Sequence, residues 1–205
     1  MTTSDPSDHK AELRRRLLAA RGQLDGAQRQ RLDRRVCSQV LQFVGERDDL
    51  TVAAFVAFKG EPDLMPVLTA LHGSGRRVYL PVLDSQALRF RRWRPQQPLL
   101  ANQFGILEPP AESAEITPHQ LDLVLMPLVA YSPTGVRLGM GAGYYDRTFA
   151  FCCDEPEAGP LLVGVAYGLQ QVDSLPAERW DVPLHAVITD LGVLAFGSSA
   201  ASRLS

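Results

Sequence analysis

Three glycines at alternate positions, Gly139, Gly141 and Gly143, stand between Arg137 and Arg147. Glycine lacks a Cβ, so such a segment can adopt positive φ angles and approach a ligand closely. Successive free N–H groups in a loop of this kind form a concave surface that suits an anion. The two flanking arginines favour a phosphate-binding loop, although alternating glycines alone also occur in tight turns.

The surroundings of the glycine loop strengthen this interpretation. Residues 121–126 are strongly apolar and end at Pro127, which predicts a buried strand, and a helix is expected over residues 143–152. A loop between a strand and a helix can direct free N–H groups and the helix dipole at an anion. The loop lacks the Gly-Lys-Ser/Thr ending of a Walker A motif and the spacing of a dinucleotide-binding motif.

The rest of the chain alternates between strand-like and helix-like segments. Apolar, β-branched runs predict strands over residues 51–58, 77–82, 87–93, 161–167, 186–189 and 192–196. Helical spacing of apolar residues predicts helices over residues 10–21, 26–45 and 64–72, the first of them capped by Asp8. This alternation predicts an α/β fold, a Rossmann-like three-layer α/β/α architecture with a mainly parallel sheet. Ligands of such sheets bind beyond the carboxyl ends of the strands.

Length and composition limit the classes of function. With 205 residues and a net charge of −2, the chain predicts a single domain over residues 9–197, flexible tails over 1–8 and 198–205, and no general attraction to nucleic acid or membrane. Residues 89–94 mix basic and aromatic side chains, which favours an exposed edge strand over a nucleic-acid surface. No apolar run reaches the roughly 20 residues that span a bilayer. We expect a cytoplasmic monomer.

Charged residues outside the loop are candidates for the same site. Lys10 and Arg14 are four residues apart and share a helix face, which is either a solvated basic surface or a pair that reaches a triphosphate. Glu61 follows a predicted buried strand, either as a loop carboxylate in water or as an acceptor for an N–H-rich heterocycle.

Two aspartates are candidate metal ligands. Asp146 offers a hard oxygen beside the glycine loop, and Asp181 is either a turn residue or a second ligand. Mg²⁺ commonly takes one or two carboxylates together with phosphate oxygens and water. The three cysteines and four histidines form no metal-ligand spacing.

Several motifs, taken together and in order, resemble the 5-formyltetrahydrofolate cyclo-ligase family of bacteria. The resemblance covers roughly residues 8–195, and Ala142 departs from it, since many members have glycine or lysine there. The segments that carry it are residues 10–14, 60–61, 78–83, 104–109, 127–132, Gly135, 137–147, 170–172, 175–176 and 180–183.

The resemblance implies an enzyme that converts 5-formyltetrahydrofolate to 5,10-methenyltetrahydrofolate with ATP and Mg²⁺. It implies catalytic roles for Arg147 and Tyr145, metal binding by Asp146 and Asp181, and substrate binding by Glu61, Phe58 and Tyr131. The ATP-binding residues that it implies are Lys10, Arg14, Arg137, Leu138, Gly139, Met140, Gly141, Ala142, Gly143, Tyr144 and Tyr145.

Two other functions fit part of the pattern. A different ATP-dependent kinase or ligase would keep the glycine loop, the arginines and the metal carboxylates but bind another substrate. A non-catalytic sensor of a phosphorylated metabolite would use the loop alone, and carboxylates for Mg²⁺ argue against it. Magnesium-dependent release of ADP with and without folate separates these hypotheses.

Overall fold

The computed structural model describes residues 6–45, 50–154 and 159–196. Its helices are α1 (Pro6–Gly22), α2 (Gly26–Val44), α3 (Met65–Gly73), α4 (Tyr144–Thr148) and α5 (Phe151–Asp154). Its strands are β1 (Thr51–Ala53), β2 (Arg77–Asp84), β3 (Ala87–Arg92), β4 (Leu100–Ala101), β5 (Leu107–Glu108), β6 (Glu115–Ile116), β7 (Leu123–Pro127), β8 (Ala130–Tyr131), β9 (Arg137–Leu138), β10 (Leu161–Val165), β11 (Ala186–Thr189) and β12 (Gly192–Ala195).

Among the described residues, the main sheet contains eight strands in the order β12-β11-β10-β7-β1-β2-β3-β6. The five strands from β11 to β2 run parallel, and β12, β3 and β6 add antiparallel pairs at the two sides. Two small antiparallel pairs, β4–β5 and β8–β9, lie outside this sheet. The prediction of an α/β fold with a mainly parallel sheet is confirmed.

Helices cover both faces of the sheet because alternate strand residues point to opposite sides. In β7, Leu123 and Leu125 join a core cluster that includes buried residues of α2 and α3. Val124 and Met126 join a second cluster on the other face, together with buried residues around α4 and α5. The predicted three-layer arrangement is therefore confirmed.

Helix α1 packs at the carboxyl end of the sheet. Leu13 and Leu17, four residues apart on one helical face, are buried against Val129, Ala130 and Leu138 of the β8–β9 region. This contact places the first helix beside the loop that follows β9, which is the glycine loop.

The observed ends of several elements differ from the predictions. Helix α1 begins at Pro6, so residues 6–8 of the predicted tail are helical and Asp8 lies in the first turn instead of capping the helix. The tail residues 1–5 and 198–205 lie outside the described residues. Across the described ranges, no helix is long and apolar enough to cross a membrane.

Two strand predictions were wrong in a way that matters for the site. Strand β1 ends at Ala53 instead of residue 58, because the chain leaves the sheet after Ala54, whose N–H still bonds to the carbonyl of Tyr79. Strand β3 is not an edge strand, because β2 and β6 pair with it on either side.

The single helix predicted over residues 143–152 is divided into α4 and α5. At the break between them Phe149 is fully buried, with its ring 5.8 Å from that of Phe90 on β3. This packing ties the segment after the glycine loop to the sheet.

Candidate active site

A cavity of about 1170 Å³ lies at the carboxyl ends of the parallel strands. Helix α1, the loops after β1 and β7, the glycine loop and residues 178–181 all contribute to its wall. Of the predicted site residues, the structure brings together in this wall Lys10, Arg14, Phe58, Glu61, the whole of residues 137–147 and Asp181.

The glycine loop begins at β9, which is held by its antiparallel pairing with β8. Gly141 and Gly143 have φ angles of 99° and 68°, values that favour glycine, and Gly143 directly precedes α4. The Nε of Arg14 donates to the carbonyl of Gly139 at 2.9 Å. Helix α1 is therefore fastened to the loop by one of the predicted phosphate-binding residues.

Arg137 links the loop to the two segments that follow it. One Nη donates to Oδ1 of Asp146 at 2.7 Å, and the other donates to the carbonyl of Val182. The Arg137 side chain is only 5% exposed and that of Asp146 is 25% exposed, so this ion pair is partly shielded from water. The backbone N–H of Val182 also donates to Oδ1 of Asp146, at 3.2 Å.

Lys10 and Asp181 are neighbours across the cavity. The Nζ of Lys10 lies 3.5 Å from Oε1 of Glu178 and 3.7 Å from Oδ2 of Asp181. The same Asp181 oxygen accepts the backbone N–H of Glu178 at 2.8 Å, which fixes the carboxylate in place. The basic face of α1 is thus turned into the cavity and is not a solvated surface at Lys10.

Glu61 lies in an enclosed part of the cavity with Phe55 and Phe58. It is 8% exposed, and burial raises the pKa of its carboxyl to about 7, against the lowering effects of the Phe58 N–H and the Arg21 guanidinium. The Phe58 N–H donates to Oε2 of Glu61 at 3.0 Å. A carboxyl with this pKa can change its charge when a ligand with N–H donors binds.

A sequence model described as the 5-formyltetrahydrofolate cyclo-ligase family matches residues 6–190. The chain belongs to this family. The cyclo-ligase of Haemophilus influenzae is 34% identical over 183 residues, with 87% of this chain and 96% of the relative covered. That of Escherichia coli K12 is 42% identical over 143 residues, with 68% of this chain and 77% of the relative covered.

Solved structures of similar proteins have the same fold. The 5,10-methenyltetrahydrofolate synthetase of Aquifex aeolicus is similar with a TM-score of 0.76 and 31% identity, covering 91% of this chain and 92% of that one. The synthetase of Mycoplasma pneumoniae gives a TM-score of 0.71 with 26% identity, covering 88% and 98%. The family resemblance inferred from the motifs is confirmed.

In this member of the cyclo-ligase family, Arg147 and Tyr145 line the cavity next to the glycine loop. The guanidinium of Arg147 donates to the carbonyls of Ala142 and Gln86 and lies 5.3 Å from the centre of the Tyr144 ring. Burial raises the pKa of the Tyr145 hydroxyl, so that this group is a neutral donor at physiological pH.

Tyr131 is the one predicted site residue that the structure does not bring to the cavity wall. It belongs to β8, is 2% exposed, and its hydroxyl lies 3.4 Å from Oε1 of Gln171. Its aromatic ring packs in the core cluster beneath the cavity. An aromatic residue in a strand next to a loop has the same sequence pattern whether it faces the core or a ligand.

Several residues around the cavity were not among the predicted site residues. Phe104 and Trp180 line it and are 53% and 59% exposed, although nothing in their spacing distinguishes them from other loop aromatics. Arg21, on the same helix as Lys10 and Arg14, is 1% exposed. Arg21 lies eleven residues after Lys10 and seven after Arg14, so all three share one helical face. This spacing is visible in the sequence.

The carboxylates of the cavity fit a magnesium ion held jointly with phosphates. Within the described ranges, no group of three or more His, Cys, Asp or Glu side chains could hold a metal alone. Asp146 and Asp181 line the same cavity as the glycine loop. One or two carboxylates completed by phosphate oxygens and water are the usual ligand set of Mg²⁺, whereas an all-protein cage is not.

Proposed function

We propose that this protein is a 5-formyltetrahydrofolate cyclo-ligase that uses ATP and forms 5,10-methenyltetrahydrofolate, ADP and phosphate. The observation that carries the proposal is the composition of one cavity. Basic groups from separate segments, Lys10 and Arg14 of α1 and Arg137 of β9, surround a glycine loop, and the same cavity contains the enclosed carboxyl of Glu61. This is the combination that a nucleotide and a heterocyclic substrate require together.

The chemistry explains why both ligands must meet. The oxygen of the N5-formyl group, an amide oxygen, is a poor leaving group. It attacks the γ-phosphorus of ATP, the bond to the bridging oxygen breaks, and ADP leaves with that electron pair. The resulting iminium phosphate is attacked at its formyl carbon by N10, which loses its proton. Phosphate then departs with the C–O electron pair, and the methenyl ring remains.

Positioning and charge stabilisation are the main tasks of the protein in phosphoryl transfer. In our proposal, the backbone N–H groups of residues 139–143 bind the phosphates, and Lys10, Arg14 and Arg137 neutralise their charge. Arg147 steadies the transferred phosphoryl group. The remaining ATP contacts come from Leu138, Met140, Ala142, Tyr144 and Tyr145, all of which line the cavity.

The folate would occupy the enclosed part of the cavity. Glu61 accepts hydrogen bonds from the N–H groups of the pterin, and Phe58 packs against the ring. Both residues line the cavity beside Phe55. Tyr145, which also lines the cavity, contacts the formyl oxygen that receives the phosphoryl group.

Mg²⁺ bound by Asp146 and Asp181 would neutralise charge on the phosphates of ATP. Both contacts to Asp146 described above use Oδ1, so its Oδ2 has no hydrogen-bond partner within the described part of the chain. We further propose that the enzyme acts as a monomer, since one chain supplies both the basic residues and Glu61. Sedimentation equilibrium at assay concentration tests the monomer.

The test of the function is an absorbance assay. Purified protein is mixed with 5-formyltetrahydrofolate, ATP and Mg²⁺, and the near-ultraviolet absorbance of the methenyl product is followed while ADP is measured in parallel. Product that requires all three components is the expected result. ADP release without folate dependence would indicate a different kinase or ligase, and ATP binding without any turnover would indicate a sensor.

A further inference from the structure

Arg21 is a fully buried cation at the end of helix α1. It is 1% exposed, whereas Arg15 and Arg16, six and five residues before it, are exposed. Within the described residues it forms no ion pair with a carboxylate, and burial lowers the pKa of its guanidinium. A buried cation that has a Coulombic interaction with Glu61 but no ion pair with it is costly, so its hydrogen bonds must hold something that the fold needs.

The guanidinium of Arg21 joins the two loops that leave neighbouring parallel strands. Nε and one Nη donate to the carbonyl of Lys59, at 3.2 and 2.9 Å, and the other Nη donates to the carbonyl of Leu128 at 3.3 Å. Lys59 follows β1, Leu128 follows β7, and both residues line the cavity. The planar fork of arginine suits this geometry because several donors point in fixed directions.

The loop on the Lys59 side is a strained turn that carries Glu61. Lys59 has a φ of 48°, unusual for a residue with a side chain, and Gly60 follows with a φ of 78°. The turn closes when the Glu61 N–H donates to the carbonyl of Phe58 at 3.1 Å. An ordinary residue adopts such a conformation when its surroundings enforce it, and Arg21 supplies two hydrogen bonds to the middle of this turn.

The other partners of Arg21 make the arrangement rigid. Arg29 of α2 donates to the backbone carbonyl of Arg21 at 3.1 Å, and a Cβ added at Gly60 would lie 2.6 Å from Nη1 of Arg29. Gln170, which is fully buried, donates to the same Leu128 carbonyl at 2.8 Å. The turn therefore lies against two arginine side chains.

We infer that Arg21 is a positioning residue that sets Glu61 and the folate-binding part of the cavity by holding the Lys59–Gly60 turn against the Leu128 loop. This inference rests on the proposed function. Lys10, Arg14 and Arg21 follow one stripe of α1, and eleven residues of helix separate the first and last by about 16 Å. One end of this helical face therefore contacts the phosphate-binding part of the site, and the other end contacts the folate-binding part.

The kinetic test compares Arg21→Gln and Arg21→Lys with the matched control Arg16→Gln, an exposed position on the same helix. We expect Arg21→Gln to raise the KM for 5-formyltetrahydrofolate about tenfold or more while the KM for ATP changes less than about twofold. Arg21→Lys should give an intermediate folate KM, because it keeps the charge and loses the fork. Folded Arg21 variants with an unchanged folate KM, or with equal rises in both KM values, would overturn the inference.

A double-mutant cycle tests whether Arg21 acts through Glu61. If it does, Arg21→Gln should add little to the folate defect of Glu61→Gln, whereas independent roles would multiply the two defects. If Arg21→Gln does not fold, the same double-mutant cycle is measured with Arg21→Lys in its place. Additive effects in either variant would contradict the assigned role.

Hydrogen exchange of the ligand-free protein separates this inference from the proposed function. The Glu61 amide should exchange its hydrogen at least about tenfold faster in the Arg21 variants than in the wild type, while the amide of Val124 in central strand β7 keeps its protection. Equal protection of Glu61 in all variants would reject Arg21 as the support of the turn. Lack of methenyl product from the wild type, by contrast, would reject only the proposed function.

Discussion

Arg137 donates to Asp146 at 2.7 Å, which joins a residue proposed to bind phosphate to a residue proposed to bind metal. The Arg137 guanidinium also reaches the carbonyl of Val182, next to the second proposed metal ligand, Asp181. The cation and the Asp146 carboxylate therefore hold each other in position, and the Val182 contact anchors the segment that carries Asp181. Substitutions here should change ATP and metal binding together.

Replacement of Arg137 by lysine should lower kcat/KM for ATP about 100-fold, because a single ammonium cannot keep two separate contacts and also neutralise a phosphate. Steady-state kinetics with varied ATP checks this. Arg179→Lys, an exposed position on the same cavity wall, is the control for a change of cation type. An Arg137→Lys enzyme with wild-type turnover and ATP KM would remove Arg137 from the phosphate site.

Replacement of Asp146 by asparagine should raise the Mg²⁺ concentration for half-maximal activity about tenfold to a hundredfold, since an amide is a weaker ligand than a carboxylate. The amide can still accept from Arg137, so the fold is retained. Asp173→Asn, exposed and outside the cavity, is the matched control. An unaltered magnesium titration would exclude Asp146 from the metal site.

The affinity for folate should fall as the pH is lowered below 7. Glu61 has a pKa of about 7 in the ligand-free protein, and its ionised form is the better acceptor for pterin N–H groups. Below that pKa, the Kd should rise about tenfold for each unit of pH, and the Glu61→Gln variant should lack this slope. Calorimetric titrations between pH 5 and pH 8 measure the Kd of the wild type and of the Glu61→Gln variant. A wild-type Kd independent of pH in that range would contradict the prediction.

The same carboxyl should lower protein stability as the pH rises. Its pKa is about 7 in the fold and near the ordinary 4.5 in the unfolded chain, so between these values the folded state holds the proton more tightly. The stabilisation that this raised pKa gives the folded state is fully present below pH 4.5 and is lost as the pH passes 7. Glu61→Gln should therefore gain up to about 3 kcal/mol of unfolding free energy relative to wild type across this range. Urea denaturation at several pH values measures the difference, and a constant difference would reject the buried, neutral carboxyl.

Two glycines of the loop should respond differently to alanine. At Gly143 the φ angle is 68° and a Cβ would lie 2.6 Å from Nη1 of Arg147, so Gly143→Ala should cost about 1–2 kcal/mol and displace that guanidinium. At Gly139, beyond the residue itself and its two chain neighbours, no atom of the described residues lies within 4 Å of an added Cβ, and Gly139→Ala should melt at the wild-type temperature without ATP. Scanning calorimetry distinguishes the two, and equal melting temperatures would show that the loop tolerates a side chain at Gly143.

Periodicity and turn residues predicted the central elements well, because their burial is determined by local pattern. Strand β11 matches its predicted residues 186–189, and α2 begins at the predicted Gly26 behind the capping residue Asp25. The pattern could not show that the apolar run after Ala53 leaves the sheet. Ala54 and Phe55 remain buried there, and burial is all that an apolar sequence reports.

The glycine loop could be singled out as a candidate phosphate site from residue type, whereas the residues that hold the turn carrying Glu61 could not. Arginines beside alternating glycines indicate an anion by their chemistry, wherever the chain places them. Arg21 and Gln170 act through carbonyls that lie 38 and 42 residues away, and such partners leave no trace in a local pattern. Tyr131 is a different case, since its aromatic character fits both a pocket and a core, and the structure places it in the core.

Helix α1 has a consequence for the order in which the site forms. Its side chains bind carbonyls that lie 38, 107 and 125 residues further along the chain, and Lys10 meets Asp181 later still. During synthesis α1 is the first of these elements to leave the ribosome, yet its contact with Gly139 cannot exist until the glycine loop has been translated. The earliest helix therefore completes its contacts late, and the binding site is completed only when most of the chain has been made.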